Sequence, residues 1–120
     1  MKNVLIVDDS DMVRTIIREA LTKNGFNIVG EADNGRAGVE KYAELKPDIV
    51  TMDITLEEMN GIEALKEIKK INPSAVVIVI SSTVYQSFVA EEIVQSGADD
   101  CIVKPFDEEM LMKVFNKFVN

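Results

Sequence analysis

Eight side chains in this sequence have the types and spacing to do chemistry together: Asp8, Asp9, Asp11, Asp53, Ser81, Ser82, Thr83 and Lys104. They fall just after four apolar, strand-like runs, V-L-I-V at 4–7, I-V-T-M at 49–52, V-V-I-V-I at 76–80 and C-I-V at 101–103. Crowding Asp8, Asp9 and Asp53 makes it costly to ionise all three unless a cation sits among them. A hard divalent cation such as Mg²⁺ takes a couple of carboxylates, a backbone carbonyl and retained waters. A carboxylate beside such an ion, with a lysine to offset incoming charge, is set up to attack a phosphoryl group as an aspartyl nucleophile. Taken singly, the same residues have plain structural readings. Asp9 and Asp11 can cap a helix, Asp53 can be a loop carboxylate, Lys104 a solvated charge, and Ser81-Ser82 the end of a strand.

What would bring them together is the order of the elements. The run at 4–7 is β-branched and continuous, as in a strand buried on both faces. Met12, Val13, Ile16, Ile17, Ala20 and Leu21 then form one helical stripe, with Ser10 or Asp11 to cap its start and Gly25 to close it. Residues 26–31 mix polar and apolar positions, as an edge strand does. A helix follows around 37–45, ended by Pro47, and then the strand at 49–52. Ile62, Leu65, Ile68 and Ile71 stripe a third helix, with Pro73 beyond it. After the strand at 76–80, a fourth helix carries Phe88, Val89, Ile93 and Val94 and stops at Gly97. The short strand at 101–103 leads to a last stripe of Met110, Leu111, Val114, Phe115 and Phe118.

Strands alternating with helices imply an α/β fold, a doubly wound (βα)5 three-layer sandwich whose five-stranded parallel sheet is covered on both faces. The flavodoxin-like order 2-1-3-4-5 is taken over from that fold class. It puts the mixed second strand and the short fifth strand at the edges. In such sheets ligands bind at the carboxyl ends of the strands, beside the switch point between strands 1 and 3.

Composition narrows the function. A chain of 120 residues is one domain, without room for two cores. Its net charge of −8 makes it a poor surface for nucleic acid, because phosphates would be repelled. One cysteine permits no internal disulfide and fits a reducing compartment, the cytoplasm. No apolar run approaches the ~18 residues of a membrane span. Histidine is absent, which removes Ser-His-Asp and Cys-His catalysis and His-ligated zinc. There is no G-x-x-x-x-G-K-[ST] loop, and the acidic loop at 8–11 would repel a flavin phosphate.

Five motifs in order, V-L-I-V-D-D-S at 4–10, D-I-V-T-M-D-I at 48–54, M-N-G-I-E-A-L at 59–65, G-A-D-D at 97–100 and V-K-P-F at 103–106, resemble the receiver domain of two-component response regulators. The likeness runs from 4 to 118 and is nearest to the single-domain chemotaxis members of that family. It implies a single receiver domain over 1–120 with no output domain, a monomer. Such a protein is not an enzyme in the ordinary sense; it catalyses only its own phosphorylation and dephosphorylation.

In that likeness Asp53 is the phosphoacceptor, receiving a phosphoryl group from the phosphohistidine of a sensor histidine kinase. Asp8 and Asp9, with Asp53 and the backbone carbonyl of Thr55, hold Mg²⁺, or Mn²⁺ or a similar divalent cation. Lys104 contacts the phosphoryl oxygens, and the Lys104-Pro105 bond is cis. The switch hydroxyl is Ser82 if one counts back from Lys104, and Ser81 if the fourth strand runs on without a gap; Ser82 is preferred. Phosphorylation then repacks the face of the fourth helix, fifth strand and fifth helix for a partner, with Val84, Tyr85 and Phe88 as contacts. The implied partners are a chemotaxis kinase, a flagellar motor switch protein or other effector, and a phosphatase.

Two departures stand out. Cys101 occupies a place where the family usually has Tyr or Phe, and reads as a small buried apolar residue that cannot act as an aromatic rotor. Glu57 stands where a proline is common. Three rival functions remain: a phosphorelay intermediate, a phosphorylation-independent interaction module, and a phosphohydrolase working through an aspartyl phosphate. The last commonly wants a second acid two residues after the nucleophile, where this chain has Thr55.

Overall fold

The computed structural model describes residues 2–54, 60–82 and 87–119. Five strands alternate with five helices: β1 (Asn3–Val7), α1 (Asp11–Lys23), β2 (Asn27–Ala32), α2 (Gly35–Leu45), β3 (Ile49–Asp53), α3 (Gly61–Ile71), β4 (Val76–Ser81), α4 (Ser87–Gln95), β5 (Asp100–Val103) and α5 (Glu108–Phe115), with a closing 3₁₀ turn at Asn116–Phe118. The strands form one parallel sheet in the order β2-β1-β3-β4-β5. The expected doubly wound architecture and strand order are therefore observed.

Alternation along the central strands divides the core into two apolar layers. Leu5, Val7, Val50, Met52, Val77 and Val79 face one side, against Ala64, Leu65, Ile68 and Ile93. Val4, Ile6, Ile49, Ile78, Ile80 and Ile102 face the other, against Ile17, Leu21, Leu111 and Phe115. Phe26 and Phe115 meet edge to face there, with ring centroids 5.3 Å apart.

The helix ends follow local chemistry. Ser10, and not Asp11, caps α1, its Oγ accepting from the Val13 N–H at 3.2 Å. Asn34 caps α2 and Asn60 caps α3 in the same way, so α2 begins at Gly35, two residues before the expected start. The chain leaves α1 and α4 through Gly25 and Gly97, both at positive φ, where a side chain would be strained.

Several apolar stripe residues lie outside the core. Met12 and Ile16 are 70% and 48% exposed, and Ile71, Val94 and Met110 are exposed as well. The buried face of α1 is only Ile17, Ala20 and Leu21, with Val13 at its margin. A helix lying on a sheet covers a narrower arc than its apolar stripe spans.

Candidate functional site

Three strands, β1, β4 and β5, each deliver one polar residue two positions beyond a residue of the α1/α5 layer. Ile6 is followed by Asp8, Ile80 by Ser82 and Ile102 by Lys104, while Thr51 shares the face of Asp53. The period of two in the strands thus turns a run of apolar residues into a cluster of functional ones at their ends. The β3/β4 register sets Asp53 beside Ile80, and the β4/β5 register sets Ser81 beside Val103.

Asp8 and Asp53 are each 1% exposed, whereas Asp9 is exposed. One carboxylate oxygen from each of the three lies within 4.8 Å of the others. The Lys104 ammonium reaches between the buried pair, 3.0 Å from Asp8 Oδ2 and 3.4 Å from Asp53 Oδ2. Its backbone is tied to β4 by donation from Lys104 N–H to the Ser81 carbonyl at 3.3 Å, and the Lys104-Pro105 peptide is cis, as expected.

Among the described residues, the cluster holds more negative than positive charge. Burial pushes the Asp8 carboxyl above the usual carboxylate range, and the nearby charge of Asp53 adds to this. The hydrogen bond from Ser10 N–H to Asp8 Oδ1, 2.9 Å, and the Lys104 ammonium offset that rise only in part. Burial alone would lower Lys104, but its hydrogen bond to Asp8 and the charges of both carboxylates outweigh this and hold it above the ordinary lysine value. Among the described residues, three carboxylates face one ammonium, with oxygens close enough to share an ion, and this suits a hard divalent cation. Thr55, expected to add a backbone carbonyl, lies outside the described residues, as do Glu57, Thr83, Val84 and Tyr85 and the side chain of Phe88.

The structure separates the two candidate hydroxyl residues. Ser81 is buried at the end of β4, on the alternation facing away from the α1/α5 layer, and Ser82 is the exposed residue just past it. Asp11, grouped with the acids by sequence, is exposed and pairs with Arg14. Cys101 is half-buried against the α3 layer, where burial and the charge of Asp100 push its thiol above the ordinary value.

Sequence reasoning missed two residues that shape the site. Gly61 packs against the Asp53 backbone: a Cβ there would fall 2.1 Å from the Asp53 carbonyl oxygen. Arg14 lies 13% exposed beside the acid loop and donates to the Asp8 carbonyl at 2.5 Å. Its signal in the sequence is a charge bordering the apolar stripe of α1, one that a solvated helix face would equally explain.

Residues 4–116 match the response regulator receiver domain. The chain is 54% identical to the chemotaxis protein CheY of Thermotoga maritima over 116 residues, covering 97% of this chain and 96% of that one. It is 51% identical to CheY of Bacillus subtilis, covering 98% and 97%. The crystal structure of a CheX-CheY-BeF3-Mg complex from Borrelia burgdorferi superposes with a TM-score of 0.91 at 38% identity, over 99% of this chain and 90% of that one. With the sheet order, the acid cluster and the paired lysine, these matches make the chain a CheY-like member of the response regulator receiver domain family.

Proposed function

We propose that this protein is a chemotaxis response regulator that takes a phosphoryl group onto Asp53 from the phosphohistidine of a sensor histidine kinase. The observation that carries this reading is Lys104 held between two buried carboxylates, with Asp9 alongside. In the transfer, an Asp53 carboxylate oxygen forms a bond to phosphorus as the phosphorus–nitrogen bond of the phosphohistidine breaks. The electron pair leaves with the imidazole. Asp53 is fixed at the end of β3 by its ladder to β4, so the attacking oxygen need not be ordered during the reaction. Lys104, in contact with the acceptor, is placed to meet the incoming phosphoryl oxygens and offset their charge.

Asp8, Asp9 and Asp53, together with the Thr55 carbonyl, would hold Mg²⁺ or a similar divalent cation. When bound, such an ion neutralises charge on the transferring group. The Borrelia burgdorferi CheY complex, crystallised with magnesium and BeF3, supports this assignment.

Ser82 is the preferred switch hydroxyl. One more step of the β4 alternation beyond Ser81 returns it to the face of Ile80 and Asp53. Drawing that hydroxyl toward the acyl phosphate would shift the loop after β4 and repack the α4-β5-α5 face. On this reading the protein acts as a cytoplasmic monomer whose output is binding to a flagellar motor switch protein or another effector, with a phosphatase to reset it. It catalyses only its own phosphorylation and dephosphorylation.

Intact mass after incubation with a small phosphodonor tests the assignment. Wild type should gain one phosphoryl group with Mg²⁺ present and none with excess chelator, and Asp53→Asn should gain none. Undiminished labelling of Asp53→Asn would sink it. For the switch, Ser82→Ala should label normally yet lose the phosphorylation-dependent gain in partner affinity, while Ser81→Ala should keep it.

A further inference from the structure

We propose that Arg14 is a positioning residue for the acid pair, holding the Asp8-Asp9 peptide so that both carboxylates are preset for a divalent cation; this rests on the cation-assisted phosphoacceptor reading of the pocket. The β1 ladder ends at Val7, so the Asp8 carbonyl has no strand partner and must find a donor elsewhere. Arg14 supplies it, with Nη1 at 2.5 Å. That carbonyl belongs to the peptide unit joining Asp8 to Asp9, so fixing it sets the backbone torsions between the two acids. The Asp8 N–H is fixed on the other side, donating to the Ala32 carbonyl at 3.0 Å.

The guanidinium is itself held from three directions. Its Nε donates to Glu31 Oε1 at 3.2 Å, and its Nη2 pairs with Asp11. Glu31 is braced in turn by Arg18 Nη1, 2.6 Å from its second oxygen. A planar fork with fixed donor directions can meet three acceptors at once, whereas a lysine ammonium on a flexible stem cannot keep all three. The clasp therefore links α1, β2 and the acid loop into one rigid corner.

Charge and position predict opposite signs, which makes the idea testable. A cation beside an acidic cluster should by simple Coulomb repulsion weaken the binding of a second cation, so deleting it should tighten binding. If Arg14 acts through the geometry of the Asp8-Asp9 peptide, deleting it should loosen binding.

The experiment is Mn²⁺ affinity by electron paramagnetic resonance on wild type, Arg14→Ala and Arg14→Lys, with helicity checked by circular dichroism. We expect Arg14→Ala to bind about tenfold more weakly, the scale seen when a group orienting metal ligands is removed. Arg14→Lys, which keeps the charge but donates from a single nitrogen, should fall between. In the metal-free protein, the Asp9 amide nitrogen resonance should move in Arg14→Ala while amides of β3 and β4 stay in place. That signature reports the lost bond to the Asp8 carbonyl, which a purely stabilising role would not produce. Mn²⁺ binding in Arg14→Ala as tight as wild type, or tighter, overturns the proposal. Should Arg14→Ala fail to fold, wild-type affinity in Arg14→Lys overturns it equally. Wild type that binds no Mn²⁺ would instead overturn the cation-assisted reading beneath it.

Discussion

Gly61 and Thr51 show how single atoms constrain the backbone around Asp53, the proposed acceptor. A methyl group at Gly61 would meet the Asp53 carbonyl oxygen at 2.1 Å and the Ile54 Cα at 2.5 Å, both backbone atoms that cannot swing aside. Gly61→Ala should therefore cost about 1–3 kcal/mol in urea unfolding and, on the proposed function, slow phosphoryl labelling of Asp53, because the backbone that carries Asp53 has to move. Thr51, two residues earlier on the same face, buries a hydroxyl that has no hydrogen-bond partner among the described residues. Thr51→Val keeps the shape and removes that group, so it should be neutral or raise stability by about 1 kcal/mol in the same titration. At Cys101 the thiol is pushed above its ordinary value by burial first and Asp100 second. Its alkylation by iodoacetamide should accordingly reach half its limiting rate at a higher pH than that of a free cysteine. An unshifted or lower midpoint would contradict the burial seen here.

Among the elements, α1, α2, α3 and α5 each start where a side-chain oxygen meets an orphan N–H. Asn34 Oδ1 accepts from Ala37 N–H at 2.8 Å, at a helix start distant from the acid cluster in sequence. Asn34→Ala should lower unfolding free energy by about 1 kcal/mol without altering labelling of Asp53. The strands carry a different kind of information. Their alternation puts Asp8, Asp53 and Lys104 on one face of the sheet; Asp53 is level with Ile80 and Ile102, and Lys104, two residues beyond Ile102, reaches back to both acids through its side chain. The apolar stripes were less reliable guides. Met12 and Ile16 fit the helical period of α1 yet lie outside the core, since periodicity reports which residues share a face and not how much of that face is covered.

Across the whole molecule, one sheet separates two apolar layers, and Phe115 anchors the layer beneath the acid cluster through its contact with Phe26. Phe115→Ala should cost about 3–5 kcal/mol, a large share of the roughly 5–15 kcal/mol that holds a domain of this kind together. Met12→Ala, at a site 70% exposed, should change stability by no more than about 0.5 kcal/mol. A comparison of the two midpoints in thermal unfolding checks both. None of the helices among the described residues is long and apolar enough to cross a membrane.

The alternation of strands and helices, the acids and lysine at the strand ends, and the receiver family could all be read from the chain alone. Those features are local, and they are written in periods of two and 3.6 and in turn residues. Only the tertiary structure decided which of the polar residues converge. It separated Asp11 from the acid cluster, set Ser82 apart from Ser81, drew Lys104 between Asp8 and Asp53, and brought Arg14 and Gly61 against the acid-bearing backbone. The reason is that these contacts join residues far apart in the chain. Their distances depend on strand register and helix placement, which no local period encodes.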